Sequence, residues 1–147
     1  TVFTQGCPHH CPGCHNPQTH DFAGGKDMEL DTLLHDMCRN PLVKGVTFSG
    51  GEPFLLSPNR FYYLAVELKK KGKHLMAYSG YTFEQLMELP DPFVQKLLGQ
   101  LDLLVEGPFI EADAIIELRF RGSANQRVLD VPASIAANEP VWAEQYR

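Results

Sequence analysis

Short apolar runs and longer stretches of helical period alternate along this chain. Val2-Phe3-Thr4 reads as the end of a short strand. Leu30, Leu33, Leu34 and Met37 then fall at i, i+3, i+4 and i+7, one face of a helix that ends near Asn40-Pro41. Gly45 to Ser49 reads as a buried strand. Ser57 as N-cap and Pro58 at the first helical position open a second helix, with Phe61, Leu64, Ala65 and Leu68 on one face and Gly72 as its stop. His74 to Tyr78 predicts a third strand. Thr82 and Gln85 have capping-box spacing and Tyr81 and Leu86 staple spacing, so a third helix starts there. Pro90-Asp91-Pro92 interrupts it, Phe93, Val94, Leu97 and Leu98 resume a helical face, and Leu101 to Glu106 predicts a fourth strand. Beyond Ile110 the period weakens: Ala112 to Leu118 predicts a helix, Arg121 to Asn125 a polar loop, and Val128 to Val131 a last strand.

Strands alternating with helices through connections too long for hairpins predict an α/β fold with a mostly parallel sheet. Each strand-helix-strand unit takes about 30 residues, so four or five fit and a closed barrel of eight does not. The expected architecture is an open partial (β/α) barrel. In such folds sites gather at the C-terminal ends of the strands. The segment after Thr4, Gly50-Gly51-Glu52-Pro53, Ser79-Gly80-Tyr81 and Glu106-Gly107-Pro108 all occupy that edge.

Size and charge narrow the picture. The 147 residues, 44% of them hydrophobic, make one domain spanning 1–147. A net charge of −5 argues against a nucleic-acid surface, and the cluster Lys69-Lys70-Lys71 with Lys73 reads as a solvated helix end. No apolar run is long enough to span a bilayer and no secretory pattern is present, which points to the cytoplasm. The chain opens at Thr1, without Met, directly into a strand, so a preceding N-terminal segment is expected to be missing.

The chemistry lies in Cys7, Cys11 and Cys14, spaced C-x3-C-x2-C in a loop with Pro8, Pro12 and Gly13. Three thiolates on one loop suit metal ligation rather than a disulfide framework. A closed zinc site takes four ligands, whereas a 4Fe-4S cluster held by three cysteines leaves one iron open. A zinc or electron-transfer domain, with His9, His10, His15 or His20 as fourth ligand, is the rival reading. It leaves Gly50 to Pro53 without a task. Cys38, alone on a helical pattern, reads as a buried thiol.

The triple cysteine and the Gly50-Gly51-Glu52-Pro53 loop together resemble the radical S-adenosylmethionine enzymes. Within them, Gly6-Cys7 to Asn16, Ser49 to Pro53, Ser79-Gly80-Tyr81, Leu104 to Phe109 and Arg121 to Gln126 resemble the glycyl-radical activases of anaerobic ribonucleoside-triphosphate reductase. The resemblance implies that Cys7, Cys11 and Cys14 hold a 4Fe-4S cluster whose open iron takes S-adenosylmethionine. Gly13, Cys14, His15, Gly50, Gly51, Glu52 and Ser79 are then the expected cofactor contacts. It further implies reductive cleavage to a 5'-deoxyadenosyl radical, the reductase as the partner that receives a glycyl radical, and a flavodoxin-like electron donor. An activase of another glycyl-radical enzyme, or a small-molecule enzyme of the same superfamily, is the alternative within it. Gly13 departs from the wider superfamily, where an aromatic precedes the third cysteine; His15 is the candidate replacement for its stacking face. Tyr78 is a further candidate contact, and Arg119, Arg121 and Arg127 are candidates to clamp a carboxylate or meet the reductase.

Overall fold

The structure, a computed structural model, describes residues 1–55 and 57–147. Its framework is a five-stranded sheet in sequential order: β1 (Val2–Thr4), β2 (Gly45–Gly50), β3 (His74–Ser79), β4 (Leu103–Glu106) and β5 (Arg127–Asp130). The first four strands run parallel, and β5 returns antiparallel to β4. The sheet does not close on itself. It is an α/β fold with a mostly parallel, open sheet, as the pattern predicts.

The sequential order has a geometric consequence. Crossovers between parallel strands are right-handed, so an order that never reverses puts every crossover helix on one face. Those helices are α1 (Leu30–Cys38), α2 (Pro58–Lys70), α3 (Phe83–Glu88) and α4 (Pro92–Leu98). They bury Phe48, Leu75, Ala77 and Leu104 of the strands against Ala65, Leu68, Leu86, Leu97 and Leu98. Each such leucine contributes about 1.5–3 kcal/mol by leaving water. The alternate strand residues, Phe3, Thr47, Ser49, Met76 and Tyr78, point to the other face and floor a cavity.

Local signals act as expected at several ends. Thr82 and Gln85 complete a reciprocal capping box at α3. At the end of α2, Gly72 N–H donates to Lys69 O and Lys73 N–H to Leu68 O, the paired bonds of a Schellman ending. Ser57 precedes α2 without a side-chain cap, and its carbonyl accepts from Arg60 and Phe61 instead. The lysine cluster is partly spent on neighbours, Lys69 on Asp102, Lys70 on Glu67 and Lys73 on the carbonyl of Val43.

Other expectations are corrected. Ala112 to Leu118 is not a helix: one 3-10 turn, Glu111–Asp113, is followed by Ala114 bridging Ser123. Ile115 and Ile116 are exposed there, so the segment buries no face that would support a helix. Asp102 lies before β4 rather than within it, and its carboxylate accepts from Leu75 N–H and Lys69. Val131 opens a further helix, α5 (Val131–Ala137), instead of ending the last strand; Asp130 caps it by accepting from Ala133 N–H. Cys38 is half-buried and packs on the rim of the core. No helix among the described residues is long and apolar enough to cross a membrane.

Candidate functional site

The cysteine segment is a loop pinned at its neck. Gly6 N–H donates to Thr19 O at 2.7 Å and Cys7 N–H to His20 O at 3.2 Å, so the chain leaves β1 and returns to the same point. Within it, Pro12 and Gly13 occupy the middle of a turn closed by Cys14 N–H to Cys11 O at 3.1 Å. Gly13 has φ +74°, the value this turn demands after proline. The turn brings the second and third cysteines to one side. The first stands at the neck.

The glycine pair has a structural reason beyond turning. Gly51 N–H donates to Thr4 O and Glu52 N–H to Gly6 O, both at 2.9 Å, continuing the parallel ladder past the ends of β1 and β2. A Cβ at Gly51 would stand 2.4 Å from Gly6 O, so only glycine lets the two backbones pass.

A cavity of about 510 Å³ opens between these loops and the helix-free face of the sheet, within the size range of small-molecule sites. Cys7, Cys11, Cys14, His15, Gly50, Gly51 and Ser79 all line it, brought together from sequence positions more than seventy residues apart. Gly13, which is exposed, does not line it, and Glu52 is buried behind the wall. Glu52 is 2% exposed. Its carboxylate accepts from Ser79 Oγ at 2.9 Å, Gly80 N–H at 2.8 Å, Phe54 N–H at 3.3 Å and His9 Nε2 at 2.7 Å. Ser79 is thereby oriented, donating to Glu52 and accepting from Tyr81 N–H.

The arginines separate. Arg127 is consumed by a two-pronged pair with buried Glu106 and a third bond to Glu84, which holds its guanidinium well above the usual range. Burial tends to raise the Glu84 carboxyl, but the Arg127 contact outweighs this and holds it below its ordinary value. Arg119 is exposed and away from the cavity. Arg121 lines the cavity, donates to Gln126 O and stacks over Trp142, while its Nε is buried with no partner. His20 lines the same wall and also carries a buried, unpartnered Nε2.

The segment from Gly107 to Gln126 leaves β4 and re-enters β5 at the same rim, since Glu106 pairs with Arg127. The Gln126 amide braces it, donating to Gly107 O and accepting from the N–H groups of Gly122 and Ser123. Asn125 ties it to Pro108 O and Ser123 Oγ accepts from Ile110 N–H. The polar run Arg121 to Gln126 is therefore the knot of the cavity's lip. Phe109, Phe120 and Gly122 form the lip itself, with His15 against Phe109 at 5.1 Å between ring centres.

The electrostatics around the thiols are mixed. Burial pushes the Cys7 thiol up, backbone N–H groups of His9 and His10 aimed at its sulfur pull the other way, and the Glu52 and Cys11 charges add to the rise. Asn16 N–H lies 3.4 Å from the Cys14 sulfur. A bound cation reverses the thiol preference, because a coordinating sulfur is deprotonated outright, and N–H donors to sulfur are a usual means of tuning iron-sulfur centres. Among the described residues no three His, Cys, Asp or Glu side chains cluster tightly enough to hold one metal ion. His9, offered by the zinc reading, is bonded to Glu52. Three thiols on one cavity wall have the ligand chemistry of an iron-sulfur centre, and the unpartnered Arg121 and His20 nitrogens leave polar groups for a ligand beside it.

The sequence places the cysteine loop and the glycine loop at one sheet edge, where the structure has them, and of its three candidate arginines only Arg121 lines the cavity. His9's bond to Glu52 was not anticipated; its available signal was a histidine between two cysteines and an acid in the opposite loop.

Fold and thiol set define an iron-sulfur protein: a family described as a 4Fe-4S single cluster domain matches residues 1–129, and the chain belongs to it. Relatives sharpen this. The chain is 34% identical over 134 residues to the anaerobic ribonucleoside-triphosphate reductase-activating protein of Vibrio cholerae serotype O1, covering 86% of this chain and 83% of that one. It is 31% identical over 135 residues to the protein of that name in Pasteurella multocida, with the same coverage. Enterobacteria phage T4 carries one 27% identical over 134 residues, covering 86% and 80%.

Proposed function

We propose that this chain is a radical S-adenosylmethionine activase that installs a glycyl radical on anaerobic ribonucleoside-triphosphate reductase. The observation that carries the reading is the shared cavity: Cys7, Cys11 and Cys14 face Gly50 and Gly51 across it. When bound, a reduced 4Fe-4S cluster would supply the electron that splits S-adenosylmethionine, so that its deoxyadenosyl group can take a hydrogen atom from a glycine α-carbon.

The residues of the chain have four tasks in this scheme. Cys7, Cys11 and Cys14 would hold the cluster, with the turn at Pro12-Gly13 setting two of them and N–H groups of His9, His10 and Asn16 serving the sulfurs. Gly50 and Gly51 would offer bare backbone to the cofactor's methionyl end, and the unpartnered Nε of Arg121 would meet its carboxylate. His15, resting on Phe109, would give the adenine a ring to stack on. Phe3, Met76 and Tyr78 would exclude water below, since a carbon radical must meet only its intended donor. The reductase would cover the open side, and a flavodoxin-like protein would bring the electron. The open sheet with its helices on one face is the radical S-adenosylmethionine type of partial barrel in this reading.

The test is anaerobic: the iron-loaded, reduced chain is mixed with S-adenosylmethionine and the reductase, and a glycine-centred doublet is sought by electron paramagnetic resonance. The doublet should appear with the wild type and vanish with Cys7→Ala, Cys11→Ala or Cys14→Ala. Turnover that survives any of the three would exclude the ligand set.

A further inference from the structure

Between the first two cysteines stands a histidine that lines the same cavity and is held by the Gly50–Pro53 loop. His9 Nε2 lies 2.7 Å from Glu52 Oε1, with the histidine side chain 17% exposed and the glutamate side chain fully buried. The ring is confined on its other sides. Tyr81 meets it edge-on at 4.6 Å between centres, and a Cβ at Gly80 would fall 2.3 Å from its Cδ2. Position 80 is thus a glycine because the imidazole fills the space a side chain would need.

Glu52 is itself immobilised by the end of β3, through Ser79 and Gly80, and by its own loop, through Phe54. It therefore grips the cysteine segment twice: its backbone N–H holds Gly6 O, just before Cys7, and its carboxylate holds His9, two residues after. The backbone N–H groups of His9 and His10 are near enough to the Cys7 thiol to favour its charged form. Anchoring the His9 ring consequently holds the backbone that follows Cys7, a fixed distance from the Gly6 carbonyl that Glu52 also holds.

We propose that His9 is a positioning residue for the iron-sulfur centre, a strut between the Glu52 carboxylate and the Cys7–Cys11 span, and that Glu52 and Gly80 act on the centre through it. This rests on the reading of Cys7, Cys11 and Cys14 as cluster ligands. Glu52, behind the wall with its oxygens already engaged, is in this account a support of the cluster loop rather than a cofactor contact. Gly80 becomes a determinant of the centre without lying in either motif.

The test compares wild type with His9→Ala, His9→Gln and Gly80→Ala, each loaded anaerobically with iron and sulfide. Cluster loss to a chelator is timed by absorbance, the reduced cluster's g-values are recorded, and circular dichroism monitors the fold. Loss of a partner that orients metal ligands typically costs about 10–100-fold in affinity, so His9→Ala and Gly80→Ala should lose cluster faster by about that factor, with shifted g-values. His9→Gln, whose side-chain amide can still donate to Glu52, should return most of the way. If His9→Ala does not fold, Gly80→Ala against His9→Gln carries the comparison. Wild-type retention and g-values in both His9→Ala and Gly80→Ala, or in Gly80→Ala where only it folds, would overturn the strut alone. A wild-type chain that takes up no cluster would overturn the ligand reading, and the strut with it.

Discussion

The sheet has two faces and they have been put to different uses. On the helix side, Phe48 is fully buried among α2 side chains. On the other side, Phe3, one strand away and also aromatic, is 60% exposed over the cavity. Two phenylalanines on neighbouring strands thus differ in which way the pleat turns them, and Phe3 also sits on the short edge strand. The larger core lies where the helices are; the opposite face carries a smaller one, Met76, Leu103, Val105, Val128 and Ala143, beside the cavity. A doubly wound sheet would have covered both and confined its site to a crevice at the strand order's reversal; here Ala143 and Tyr146 cover only the β4–β5 part of the second face, and the cavity keeps the rest.

The contrast is easiest to break with Phe48→Ala, which should lower unfolding free energy by about 3–5 kcal/mol, as measured by denaturant titration of the metal-free chain. A smaller loss would mean that the helix layer is looser than its packing indicates. Next is Arg127→Ala, which strands the buried Glu106 carboxylate. Glu106 keeps the N–H of Phe83 as a partner, so about 2–3 kcal/mol is expected, below the full cost of an abandoned buried charge. Smaller again is Asp102→Asn, at about 1 kcal/mol. Burial tends to raise the Asp102 carboxyl, but Leu75 N–H and Lys69 outweigh it and hold the group below the usual aspartate range. Its stabilisation is therefore complete above that range and drains away as pH falls through the lowered value. The gap between wild type and variant should close on acidification, and a gap that widens would contradict the assignment. Phe3→Ala should change stability by less than about 1 kcal/mol, yet weaken binding of S-adenosylmethionine to the iron-loaded chain. Cys38→Ala, on α1 and away from the cavity, should leave the cluster spectrum as it was.

Much of the helix side was legible because its signals are local. Thr82 with Gln85, Gly72 after the lysines, and Phe61, Leu64, Ala65 and Leu68 each announce an element from neighbours a few residues away. The site was legible in part for the same reason: C-x3-C-x2-C places three thiols on one short loop. What escaped depends on contacts across the chain. Glu52 reads as a turn acid or a cofactor contact, and nothing near it in sequence announces its bonds to the end of β3, some 27 residues on. Arg127 reads as a free cation until β5 sets it against Glu106. The segment after Ile110 misled for a different reason, since its apolar residues serve a lip rather than a core and so follow no period.

That lip has one more implication. Because β5 runs backward, the stretch from Gly107 to Gln126 departs and arrives on adjacent strands at one end of the sheet. Residues added to or removed from it would reshape the entrance without shifting a single strand pairing. The same scaffold can accordingly be refitted to differently contoured clients by editing about twenty residues, so long as the seat of Phe109 on His15 of the cysteine loop is kept.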